Sequence, residues 1–112
     1  FIYTHLSPNS EQVRTAQLKE IQNVIEGLKN KSVILFGDLN VEKKTPDTLD
    51  YQALTQLGLH DPGDTTFTCT ENGKEECIDY FLMQQNNVDI TVHSVEFSDH
   101  KALTVDFKEK LN

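Results

Sequence analysis

Two hydrophobic periods alternate along the chain. Phe1, Ile2, Tyr3, Thr4, His5 and Leu6 form a short β-rich run that stops at Ser7 and Pro8. From about Asn9 to Lys29 the period lengthens: Val13, Gln17, Ile21, Val24, Ile25 and Leu28 recur at three and four. That spacing predicts an amphipathic helix with Glu11, Lys19, Glu20 and Glu26 on its outer face and Ser7 or Ser10 as its cap. Val33, Ile34, Leu35 and Phe36 then form an apolar strand with no alternation, which predicts burial on both faces at the centre of a sheet. Strand, helix, strand is a crossover unit, and its strong right-handed preference makes the two strands parallel neighbours. His5 and Asp38, which end those strands, are therefore expected at one rim.

Beyond a polar loop with Pro46, a second helix is predicted from about Thr48 to Leu57, with Leu49, Ala53, Leu54 and Leu57 inward and Gly58 as the residue that closes it. Thr65–Cys69, Ile78–Met83, Val88–Phe97 and Ala102–Phe107 read as β-type runs separated by short links, so the second half is mostly antiparallel. Cys69 and Cys77 bracket a polar stretch with Asn72 and Gly73, which predicts a hairpin loop that brings the two thiols near each other, in either redox state.

Length and charge narrow the function. The 112 residues suit one domain, with 37% hydrophobic and 25% charged residues. The net charge of −8 gives no overall basic footprint for coating duplex DNA. No apolar run is long enough to span a bilayer. The chain opens on Phe1 with a strand and no initiator Met, and is expected to be a fragment of a longer protein.

Polar groups gather where the strands end or begin: Thr4-His5-Leu6, Gly37-Asp38-Leu39-Asn40, Ile78-Asp79-Tyr80 and Ser98-Asp99-His100. If the later strands run antiparallel to the first pair, Asp79 and Asp99 begin at the rim where His5 and Asp38 end. Hard divalent cations such as Mg²⁺ take carboxylate and amide oxygens, and a His held by a carboxylate can take a proton from water. A cation, a His and an Asn donor also suit the charge that develops on phosphoryl oxygens.

In this order, with a helix containing Arg14 and Gln17 between the first two motifs, the chain resembles the C-terminal half of the endonuclease/exonuclease/phosphatase superfamily from Thr4 to about Phe107. The resemblance implies a DNase I-like α/β sandwich half, one mixed β-sheet with helices on its outer face, and makes residues 1–112 the C-terminal portion of that domain. It also implies a phosphodiesterase or phosphatase dependent on Mg²⁺, or another divalent cation such as Mn²⁺ or Ca²⁺. By the same resemblance His100 is the general base or its equivalent and Asp79 orients it. Asp38 and Asn40 position or activate the water and contact the phosphate, Asp99 lies at the metal side, and His5 contacts the phosphoryl oxygens. Whether His100 or Asp38 is the base stays open. The family's early Asn and metal-binding Glu have no counterpart here, so the expected partners are the N-terminal half of the same domain and a phosphate-ester substrate. Without that half, the uncovered sheet face is expected to self-associate. Substrate class and compartment stay open.

Plainer readings compete. His5 alone is a strand-end residue, and Gly37-Asp38 with Asn40 is a turn. Ser98 is a cap, and Glu42, Glu71, Glu75 and Glu76 are solvated. Glu96 is a strand residue; His60 and His93 lie on a loop and a strand surface. Asp79 resists such a reading, because a carboxylate within an apolar strand needs a partner, which His100 supplies. The competing function is a non-catalytic interaction module that keeps the fold.

Overall fold

The computed structural model describes residues 1–28, 32–63, 66–84, 88–95 and 98–107. Its elements run β1 (Ile2–Tyr3), α1 (Glu11–Gly27), β2 (Ile34–Asp38), α2 (Leu49–Thr55), β3 (Cys69–Glu71), β4 (Lys74–Glu76), β5 (Asp79–Met83), β6 (Val88–His93) and β7 (Ala102–Phe107). Of the expected boundaries, Lys29, Thr65, Glu96 and Phe97 lie outside the described residues.

The crossover forms as its pattern predicts. β1 pairs with β2 in parallel, Ile2 with Leu35 and Tyr3 with Phe36, and β5 adds to the other edge of β2 antiparallel. The mixed sheet thus has three strands in the order β1-β2-β5, while β3-β4 and β6-β7 are separate two-stranded sheets. The Cys69↔His100 bridge joins the β3-β4 hairpin to the residues ahead of β7.

Gly37 sets the distance between β1 and β2. Its φ is +140°, and a Cβ there would lie 2.0 Å from the Thr4 carbonyl oxygen. Only glycine admits so close an approach. The pairing then continues past the strand ends, with the Thr4 and Leu6 amides donating to the Phe36 and Asp38 carbonyls.

α1 and α2 cover one face of the sheet. Leu18, Leu35, Ala53, Leu54 and Leu82 are buried there, with Ile21 and Ile25 packed against them. Ser10, rather than Ser7, caps α1. Its buried stripe runs through Arg14, Leu18, Ile21 and Ile25, and the expected inward residues Val13 and Val24 are exposed. The stripe is rotated because Arg14 must face α2: its Nε donates to Asp50 Oδ2 at 2.9 Å, and its Nη1 donates to the Ser7 carbonyl at 3.0 Å. Leu49 also departs from expectation. It opens α2 just after the Thr48 cap and is exposed.

Among the described residues, β2 is closed on this face alone: Leu35 is buried, whereas Ile34 and Phe36 are half-buried on the opposite face, where the apolar run predicts burial too. That second face carries rings in series, Tyr3–Phe36 at 5.4 Å, Phe36–Phe81 at 6.4 Å and Phe81–Phe107 at 6.2 Å between centroids.

The cysteine hairpin forms as the Asn-Gly pair predicts. Asn72 and Gly73 both have positive φ and form the tight turn that an Asn-Gly pair favours. The register pairs Cys69 with Glu76, so Cys77 falls one residue beyond that pair and past the end of β4. Both cysteines are buried and neither forms a disulfide, and Cys77 Sγ donates to the Thr66 carbonyl at 3.3 Å.

Candidate active site at the sheet rim

The rim is built from backbone register. Asp38 closes β2 and Asp79 opens β5, directly opposite each other in the antiparallel ladder and on the same face as Phe36 and Phe81. Two carboxylates so placed repel unless a cation or a proton lies between them. His100 answers that demand: its Nδ1 is 2.8 Å from Asp79 Oδ2 and its Nε2 3.3 Å from Asp38 Oδ2. His5 approaches the same Asp38 oxygen, with Nε2 at 3.5 Å, from a position 60% exposed. His5, Asp38, Asp79 and His100 border a cavity of about 560 Å³ whose floor is the aromatic face, with Tyr3, Phe36 and Phe81.

Each member is held by its neighbours. Asp38 Oδ1 accepts the Asn40 amide at 3.0 Å, which leaves Oδ2 toward the histidines. Thr68 is buried, and its hydroxyl accepts from the Ile78 and Asp79 amides at 3.2 and 3.1 Å, fixing the start of β5. The Thr70 amide donates to the Asp99 carbonyl and the Lys101 amide to the Thr68 carbonyl, so residues 68–70 lace residues 99–101 in place. On the β1 side, Gln17 Oε1 accepts the Ser7 amide while Arg14 holds the Ser7 carbonyl.

Electrostatics follow from crowding. Burial, then the charge of Asp79, raises the Asp38 pKa above the ordinary carboxylate range. Burial alone would lower that of His100, but the Asp79 hydrogen bond and the charges of Asp79, Asp38 and Asp99 outweigh it and raise the imidazole above its usual value.

The structure brings His5, Asp38, Asp79 and His100 together. It does not bring in the Asn40 side chain, which donates from Nδ2 to the Leu6 carbonyl at 2.9 Å, from a backbone with φ of 54°. Asp99 is exposed and stands beside His100 and Cys69 instead of Asp38. Glu42, expected in solvent, is half-buried and accepts the Cys77 amide at 3.1 Å, bracing the loop after Asn40. Asp50 and Thr68 carry no signal in the sequence pattern; Arg14 enters there only through the resemblance, in the helix between the first two motifs.

Asp38, Asp79 and His100 offer ligand atoms within 4.8 Å of one another. Carboxylate oxygens at an open rim suit a hard divalent cation that keeps several waters, so the donor set fits such an ion.

The sequence model of the Endonuclease/Exonuclease/phosphatase family matches residues 2–100. No curated protein sequence matches the chain significantly. Among solved structures, the endonuclease domain of TRAS1, a telomere-specific non-LTR retrotransposon, aligns with a TM-score of 0.72 and 20% identity over 97% of this chain and 56% of that one. Beta toxin from Staphylococcus aureus aligns at 0.72 with 23% identity, over 95% and 51% of the two chains. A mannosyl-6-phosphatase of Bacteroides thetaiotaomicron VPI-5482 aligns at 0.66 with 20% identity, over 93% and 49%. The chain thus spans about half the length of the structures it matches. Among the described residues, no helix is long and apolar enough to cross a membrane.

Proposed function

The chain belongs to the Endonuclease/Exonuclease/phosphatase family and has a DNase I-like α/β fold, and from that premise we propose that it carries most of the reaction centre of a metal-dependent phosphoester hydrolase. The observation that carries this reading is the continuous chain Asp79–His100–Asp38, with His5 on the same Asp38 oxygen, at an open rim.

Asp79 accepts from Nδ1–H of His100 and so fixes the ring and its tautomer. Nε2 is left on the side of Asp38, where a water hydrogen-bonded to both groups from the cavity can give it a proton as the water oxygen attacks phosphorus and the P–O bond to the leaving ester oxygen breaks. The raised His100 pKa makes the neutral imidazole a stronger acceptor near neutral pH. Asp38 orients that water through Oδ2, while the Asn40 amide holds Oδ1. His5, exposed at the mouth, donates to the phosphoryl oxygens as they gain charge. A divalent cation of the Mg²⁺ kind, held by carboxylate oxygens at the Asp38 and Asp79 side of the rim, would supply the charge neutralisation that histidines alone cannot.

The remaining half of such a domain would cover the aromatic face and complete the cation site. Coverage of about half of the aligned structures supports that arrangement. The test is hydrolysis of a panel (an aryl phosphodiester, sphingomyelin, an inositol polyphosphate and abasic DNA) by the complete protein with and without Mg²⁺, beside His100→Ala. Metal-dependent turnover lost in the variant is the expected result. No turnover on any substrate by a folded protein would overturn the proposal in favour of a non-catalytic module.

A further inference from the structure

Cys69 plays no part in the reaction outlined above, yet it lies against it. Its side chain is 1% exposed, its backbone bridges His100, and its sulfur, an Asp99 oxygen and a His100 nitrogen all lie within 4.8 Å of one another. A buried thiol normally packs among apolar groups. Here burial, and then the charges of Asp99, Glu76, Asp79 and Asp38, disfavour the thiolate.

We infer that Cys69, Asp99 and His100 form a site for a soft or borderline divalent cation of the Zn²⁺ type. One sulfur, one nitrogen and one carboxylate oxygen, with water in the fourth position, is a donor set that tetrahedral Zn²⁺ accepts and Mg²⁺ does not favour. The surrounding carboxylates that disfavour a bare thiolate favour a divalent cation bound to it. On binding, the S–H bond breaks, its proton goes to solvent and a sulfur–metal bond forms, while His100 contributes the lone pair of a neutral ring nitrogen. The scaffold is already laced, through the Thr70 amide on the Asp99 carbonyl and the Lys101 amide on the Thr68 carbonyl.

Occupation has a cost for His100. Its Nδ1 stands on Asp79 and its Nε2 on Asp38, so whichever nitrogen takes the cation must leave a carboxylate. Binding does not depend on the proposed reaction. The inhibition that follows does rest on it, since a ligated imidazole cannot accept a proton from water.

The test titrates the chain in excess Mg²⁺ with Zn²⁺ against a chromophoric chelator, and with Cd²⁺ by the ultraviolet charge-transfer band of a thiolate–metal bond. One equivalent should bind, with the band present in wild type and in Cys77→Ser. Cys69→Ser should abolish the band and weaken Zn²⁺ by at least about tenfold, the scale of losing a ligand or its support. Asp99→Asn should keep the band and weaken binding, so the site stays testable if Cys69→Ser fails to fold. Absence of the band in Cys77→Ser, or its persistence in folded Cys69→Ser, would overturn the assignment. In the complete protein, Zn²⁺ inhibition relieved by a chelator is expected; binding without inhibition would leave the site standing and count against His100 as the base.

Discussion

The two faces of the three-stranded sheet share the same strands and do opposite work. On the helix side, Leu35, Tyr80 and Leu82 are buried beneath α1 and α2, and even the polar end of Tyr80 is satisfied, its hydroxyl donating to the Val41 carbonyl at 2.9 Å. One residue along, Phe36, Phe81, Asp38 and Asp79 point the other way, half-open, with carboxylates facing each other across the ladder. Strand alternation alone separates them. The helix face gains stability by excluding water, whereas the rim holds like charges together at a cost offset by the histidines. The difference teaches that fold and chemistry are interleaved in sequence yet separable by substitution.

The largest expected effect tests that separation directly. Leu35→Ala should cost about 2–5 kcal/mol of unfolding free energy, as buried leucines do, while Phe36→Ala should cost less than half as much. Denaturant midpoints of the two variants check this, and equal losses would break the comparison. Gly37→Ala comes next, at roughly 1–3 kcal/mol, because the new methyl would meet the Thr4 carbonyl and push β1 away. Loss of the His5–Asp38 approach, read from the His5 ring resonances, should accompany it.

A smaller effect concerns the open face. The chain alone should associate through its aromatic rings, and light scattering should show the association weakened by Phe81→Lys. A monodisperse wild-type monomer would show that this face needs no cover.

The smallest effect is a titration. The His100 midpoint should lie above the ordinary imidazole value of about 6.5 and fall in Asp79→Asn. Since the folded value is raised, the stabilisation from the pair is complete below the unfolded pKa and is lost as pH rises through the folded one. An unchanged midpoint in Asp79→Asn would detach Asp79 from His100.

Much of this was legible from pattern. The parallel β1–β2 pair followed from strand-helix-strand order, and the meeting of His5 with Asp38 followed from that pair. Asp79 announced its partner by being a carboxylate in an apolar strand. The rest depended on contacts that periodicity does not encode. The rotation of α1 is set by Arg14 reaching Asp50 in another helix. The place of Cys77, one residue beyond the Cys69–Glu76 pair, turns on the hairpin register. Asn40 shared a motif with Asp38, yet a left-handed backbone carries its amide to the Leu6 carbonyl.

The central claim is that the rim performs chemistry which the helix face does not support by itself. Its most direct test is the turnover of the complete protein beside Asp79→Asn, measured together with unfolding midpoints. The account predicts that turnover falls by about 10²–10⁴-fold, the scale of losing the carboxylate that orients a general base, while the midpoint is retained. Undiminished turnover, or a loss matched by unfolding, would contradict it.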